Sequence, residues 1–141
     1  MRALGIVFVV LGVLNAANGV WMIASASTWY ETLPGRVPDF GAYNGHFIRD
    51  IGLVYLISGA GFVWSAFNLR TCRPVMIAQA LWAGGHALLH VADLLTGRIG
   101  AAHWLLDAPG VLLPGVVLGI LALTPVWHVV NPAARGAQTQ E

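Results

Sequence analysis

Four stretches of this chain, residues 3 to 26, 46 to 68, 74 to 95 and 103 to 130, are each apolar for about twenty residues or more. A helix rises about 1.5 Å per residue, so about twenty residues reach across a hydrocarbon core about 30 Å thick. The pattern predicts an all-α integral membrane protein, a bundle of four transmembrane helices that forms one domain over residues 1 to 141. Composition agrees: 57% of the residues are hydrophobic and 9% charged, with a mean hydropathy of +0.73, where soluble domains carry about a quarter charged residues. Arg2 and the Ala24-Ser25-Ala26 triplet give the first stretch the look of a secretory signal. Its apolar run is longer than a signal's usual core, and a retained span is expected.

Arginine placement sets the expected orientation, because cytoplasmic loops hold an excess of basic residues. Arg2, Arg70, Arg73 and Arg135 fall on one side and Arg36 and Arg98 on the other. Both termini are therefore expected in the cytoplasm, with the chain in a plasma (inner) membrane. The net charge is only +1 and no basic run could track a phosphate backbone, which argues against nucleic acid as a partner. The lone Cys72 excludes an intrachain disulfide and argues against a thiolate metal site.

In the connection from 27 to 45, Thr28-Trp29-Tyr30-Glu31 has the form of a capping box that starts a short interfacial helix, ended by Leu33-Pro34-Gly35. This segment reads either as a membrane-surface loop or as a lid over a site. Arg70-Thr71-Cys72-Arg73-Pro74 reads as a tight turn whose proline opens the third span, and the tail from Asn131 as short, polar and disordered. Glycines recur at seven-residue spacing at Gly5, Gly12 and Gly19 and again at Gly52 and Gly59, while Gly115 and Gly119 form a further small-residue pair. Close helix packing explains them, with homo-oligomer contacts through these faces as the alternative.

Ionisable residues inside spans are costly unless they pair, line water or bind a metal, so their positions carry the functional information. The second span opens with His46, Arg49 and Asp50, the third carries His86, His90 and Asp93, and the fourth opens with His103 and Asp107. Helical spacing puts each set on one face of its helix. Gln79 lies one heptad before His86, and Asn15 and Asn18 give the first helix a shorter stripe. Groups on different spans meet only at matching depth, and these groups fall in the outer half of the expected bundle.

Imidazole and carboxylate together are the ligand mixture for zinc, iron, manganese or copper. His46, Asp50, His86, His90, His103 and Asp107 are the expected ligands of one or two such ions, with Asp93 moving protons or acting as an outer partner. Arg49 balances carboxylate charge or holds an anionic substrate. Asp107 has a competing role as the cap of a helix beginning near Ala108. Pro109 and Pro114 each remove a backbone hydrogen bond, which predicts a kink beside the cluster. Tyr55, Trp64, Trp82, Trp104 and Trp127 read as packing or interface groups, and His128 as interfacial. The arrangement resembles the histidine-rich helices of membrane di-iron oxidases and the zinc sites of ceramidase-like membrane hydrolases. The oxidases have more histidines and the hydrolases more spans.

The expected function is a small metalloenzyme, its site facing the extracytoplasmic side, that hydrolyses or oxidises a lipid or small apolar molecule. The alternatives are a haem-binding electron carrier with two axial histidines, a proton or metal-ion transporter, and a structural ion-pair network.

Overall fold

The computed structural model describes residues 3 to 132. Arg2, Arg135 and most of the polar tail lie outside the described residues. The described chain is helical, with no strand among these residues: α1 (Ala3–Ala24), α2 (Ala26–Thr32), a 3-10 turn (Val37–Phe40), α3 (Gly45–Phe67), α4 (Arg73–Leu95), α5 (His103–Leu106), a π turn (Ala108–Leu112), α6 (Leu113–Ala122) and α7 (Thr124–Val130).

Three helices, α1, α3 and α4, are long and apolar enough to cross a membrane. Aliphatic side chains such as Val13, Leu14, Ile57, Leu81, Leu88 and Leu105 stand exposed around the helices, a surface that suits hydrocarbon rather than water. The fourth apolar stretch differs from the single span expected over 103 to 130. It is divided into α5, the π turn, α6 and α7, with extended backbone at Leu123. Prolines explain the division: Pro109 and Pro114 withhold amide hydrogens, and Pro125 sits in the first turn of α7. In the π turn the Asp107 carbonyl accepts from both Val111 N (2.9 Å) and Leu112 N (3.0 Å). The predicted kink is thus a wide turn immediately after Asp107.

Helix starts follow local chemistry. Asn44 caps α3, its side chain accepting from the Phe47 amide at 3.0 Å. Pro74 occupies the first turn of α4, where its missing amide hydrogen costs nothing. The capping box expected at Thr28 is not what starts α2. The chain barely breaks after α1, Ser25 N still donating to Trp21 O at 2.9 Å, so α2 begins at Ala26 with Ser25 at its cap position. Thr28 then lies inside the helix, where its Oγ1 accepts from the Ser25 hydroxyl at 2.7 Å. The tail also departs from expectation at its first residue: Asn131 is buried and donates to the Leu69 carbonyl.

α1 packs chiefly along α3, and α4 along α6. The heptad glycines form the first seam: a Cβ on Gly12 would lie 2.9 Å from the Gly59 carbonyl oxygen, and one on Gly19 would lie 2.6 Å from that of Gly52. Gly115 serves the second seam, where its Cβ would lie 2.6 Å from Ala87 Cβ. Small residues let backbones approach this closely where lipid gives no hydrophobic push between helices. These glycine faces are therefore occupied within the chain, while Gly119 faces open space. Phe8, Phe62, Met76, Leu118 and Trp127 form the larger apolar core.

A polar knot joins three helices midway along α1 and α3. Ser58 Oγ lies 2.6 Å from Gln79 Oε1 and 3.3 Å from Asn15 Oδ1, and Gln79 Nε2 donates to the Ser58 carbonyl. Gln79 thus turns to Ser58 rather than extending a stripe from His86. Asn18 accepts from Trp29 Nε1 at 2.9 Å, which ties α2 to α1.

Candidate functional site

The described ends of the chain meet the α3 to α4 turn, since Ala3, Leu4, Leu69 and Asn131 line one cavity. The candidate site lies toward the opposite end, where the α1 to α3 and α4 to α5 connections run. His86 and His90 are one turn apart on α4, with His90 five residues from its end, about 7 Å along the axis. The single turn α5 carries His103, and Asp107 follows directly as the residue that opens the π turn.

These elements converge on one hydrogen-bonded chain. His90 Nδ1 is 2.8 Å from Asp107 Oδ2, and His103 Nδ1 is 3.2 Å from Asp107 Oδ1. His103 Nε2 lies 3.1 Å from Oδ2 of Asp39, in the 3-10 turn, and Asp39 also pairs with Arg36 at 3.2 Å. The inner members are sealed: the side chains of His103 and Asp107 are 1% and 2% exposed, while that of Asp39 is 33% exposed. Phe40 covers the chain, its ring centroid 4.7 Å from that of His90 and 4.9 Å from that of His103.

Hydrogen-bond logic assigns the protons. A carboxylate can only accept, so each ring nitrogen that faces one carries a hydrogen. His103 faces carboxylates through both nitrogens and is therefore an imidazolium between Asp39 and Asp107. His90 donates through Nδ1, so in the neutral ring the lone pair is on Nε2. Charges then balance across Arg36, Asp39, His103 and Asp107, which is how the burial of ions is tolerated. His86 lies beside this chain, edge-on to His90 at 4.6 Å and stacked on Trp82 at 5.9 Å with an interplanar angle of 2°.

Compared with known proteins, the chain matches no family model, no curated protein and no solved structure.

Of the residues singled out from sequence, the structure brings His86, His90, His103 and Asp107 together. His46 and Asp50 instead pair with each other at 3.4 Å on the surface of α3, with side chains 89% and 54% exposed. Asp93 pairs with Arg98 at 3.2 Å across the turn that Gly97 closes with φ of 71°. Arg49 is exposed and donates to the Gly45 carbonyl of its own helix. Asp107 makes no side-chain capping bond, its carboxylate being taken by the two imidazoles. Among the described residues, no group of three or more His, Cys, Asp or Glu is arranged to hold a metal ion. Both ring nitrogens of His103 face carboxylates in this arrangement.

Asp39 and Phe40 are the members that sequence reasoning missed. Asp39 lies 64 positions from its imidazole partner, so no spacing rule connects them. The available signal was charge accounting: a buried histidine and aspartate at the same end as Arg36 leave one acid to be found.

Proposed function

We propose that this chain is an integral membrane protein that crosses the bilayer four times, with both termini cytoplasmic, and that its histidine and aspartate chain is an acid–base centre. The centre serves a small enzyme that acts on a lipid or small apolar molecule at the extracytoplasmic side. Support for the topology comes from three helices of spanning length, a fourth apolar stretch interrupted by prolines, and the arginine distribution.

The observation that carries the functional reading is the contact between His90 and Asp107. Asp107 holds Nδ1 at 2.8 Å and so fixes the tautomer whose Nε2 is the base. A proton taken at His90 Nε2 can be matched by one released at the exposed end. His90 passes its Nδ1 hydrogen to Asp107 Oδ2, and His103 passes its Nε2 hydrogen to Asp39, which gives it to water. Afterwards Asp107 is protonated and donates to His90, and neutral His103 still donates to Asp107 Oδ1. The links at Asp107 keep their hydrogen bonds, whereas His103 Nε2 and the Asp39 carboxylate, 3.1 Å apart, are left as two acceptors until a proton returns from water.

A second reading keeps a transition metal at the same place. His86 and His90 are one turn apart on α4, and a carboxylate that orients a ligating histidine is the usual outer partner of a metal site. This narrows the ligands expected from sequence to His86 and His90, with Asp107 behind them and water or substrate at the other positions.

The test uses the full chain in lipid nanodiscs, incubated with a mixed membrane-lipid extract and read by mass spectrometry. Wild type should convert at least one lipid class that His90→Ala and Asp107→Ala leave intact. Identical lipid profiles for wild type and His90→Ala would remove the enzyme reading. Metal analysis of the same samples decides the second reading, which requires a stoichiometric metal that His86→Ala together with His90→Ala loses.

A further inference from the structure

We propose that residues 36 to 41 form a lid over the buried imidazoles, latched by Asp39 and plugged by Phe40; this rests on reading the cluster as an acid–base centre and adds how access to it is controlled.

The segment holds itself together. Asp39 N donates to Arg36 O at 2.9 Å and Gly41 N to Pro38 O at 3.4 Å, so its backbone bonds are local. Its connections to the neighbouring helices are few and distinct in kind. Asp39 bonds His103 at 3.1 Å, the Phe40 ring lies against His90 and His103, and Tyr30 donates to the Gly41 carbonyl at 2.7 Å. The first two lie over the site, whereas the third lies at the base of the segment.

Both flanks are built to bend. Arg36 adopts φ of 50° and is the one non-glycine residue at positive φ among the described residues, and Gly41 adopts φ of 142° with open space where a Cβ would stand. Backbone in such conformations marks places where a chain changes direction about a few residues. Exposure changes abruptly across the segment: Arg36, Pro38, Asp39, Phe40 and Gly41 are exposed, while His103 and Asp107 beneath them are buried. A unit that is internally bonded, hinged at both ends and attached over the site by one ionic bond and one ring can swing out without disturbing the helices. In the swung-out state His103 and His90 face solvent, and the path to His90 Nε2 is clear.

The test is the rate at which diethyl pyrocarbonate modifies each histidine in the full chain in nanodiscs, resolved by mass spectrometry of peptides. His46, 89% exposed on its side chain, is the internal reference. Wild-type His103 and His90 should react far more slowly than His46. Asp39→Ala removes the latch and should raise their rates by about ten- to a hundredfold, as expected for loss of a hydrogen bond between charged groups. Phe40→Ala, at an exposed position, should raise the rate at His90 while His46 stays constant. The proposal is overturned if wild-type His103 reacts as fast as His46, or if neither substitution changes the ratios. Should Asp39→Ala accelerate every histidine, including His128 near the opposite end, the chain has unfolded and Phe40→Ala alone decides. The readout does not depend on turnover, and the rate at His90, whose acceptor Asp107 is unchanged in Asp39→Ala, separates opening of the lid from loss of the His103 proton. Altered ratios without lipid conversion would keep the lid and discard the enzyme, and the converse would do the reverse.

Discussion

Replacing Asp107 probes the whole cluster, because its carboxylate is the shared acceptor of two imidazoles, at 2.8 Å from His90 and 3.2 Å from His103. Asp107→Ala leaves both Nδ1 hydrogens without a partner in a site that is almost fully closed. Each hydrogen bond to a charged group is worth about 1.5 to 3 kcal/mol, and removing one member of a buried ion pair costs about 3 to 5 kcal/mol in all. Asp107→Asn is milder for a definite reason. Its oxygen accepts from His90, and its amide hydrogen requires His103 Nδ1 to become an acceptor. His103 then loses a proton and becomes neutral while still donating to Asp39. The cluster keeps the same net charge, and the loss is the charge assistance alone, about 1 to 2 kcal/mol. Unfolding curves in mixed micelles give the two costs, and ring ¹⁵N chemical shifts of labelled histidine report the tautomers. Asp107→Ala within about 0.5 kcal/mol of wild type, or unchanged His103 nitrogens in Asp107→Asn, would refute the reasoning.

Other perturbations separate the parts of the molecule. Gly59→Ala brings a methyl group 2.8 Å from the Gly12 carbonyl oxygen and 2.9 Å from Ala16 N; the obstacle is backbone, and unfolding curves should show a loss of about 1 to 3 kcal/mol. Gly119→Ala, in open space, should be neutral or slightly stabilising by the same measurement. His46→Ala removes one member of an exposed pair and should leave stability within about 0.5 kcal/mol. Burial pushes the Cys72 thiol above its ordinary range, so maleimide labelling should be slow until the chain is unfolded. The folded state then retains a proton that the unfolded state releases. The resulting stabilisation is complete below the ordinary thiol pKa and is lost as pH rises through the raised one, which unfolding curves of wild type and Cys72→Ala across that range would show.

Helix positions were legible because hydropathy and end chemistry are local. The second and third apolar stretches match α3 and α4 to within one residue, and the glycine spacing marked the seam that α1 and α3 use. Matching level along the helices grouped His86, His90, His103 and Asp107, which the structure joins, but also His46, Asp50 and Asp93, which it places in separate pairs. Rotation was not legible. His46 and Asp50 share a helical face, but α3 is apolar nearly all round, and spacing alone does not tell which neighbour a face meets. The single turn of α5 was hidden inside a longer apolar stretch, where Pro109, Pro114 and a capping role for Asp107 hinted at a break. Asp39 was invisible to any local rule, since its place depends on how a connection folds back over another helix. Thr28 misled for the opposite reason: a good local cap signal gave way to a helix that almost continues from α1.

Residues without functional groups govern the alignment of the ion chain. At the seam of α1 and α3, sliding one helix by a turn, about 5.4 Å, would drive side chains into backbone where Gly12 meets Gly59 and Gly19 meets Gly52. That seam works as a ruler: it fixes how far the connection carrying Asp39 reaches along the molecule. Gly115 against Ala83 and Ala87 sets the matching height of Asp107 beside His90. A methyl group added at Gly115 would therefore mistune the acid and its imidazole while leaving every member of the chain in the sequence.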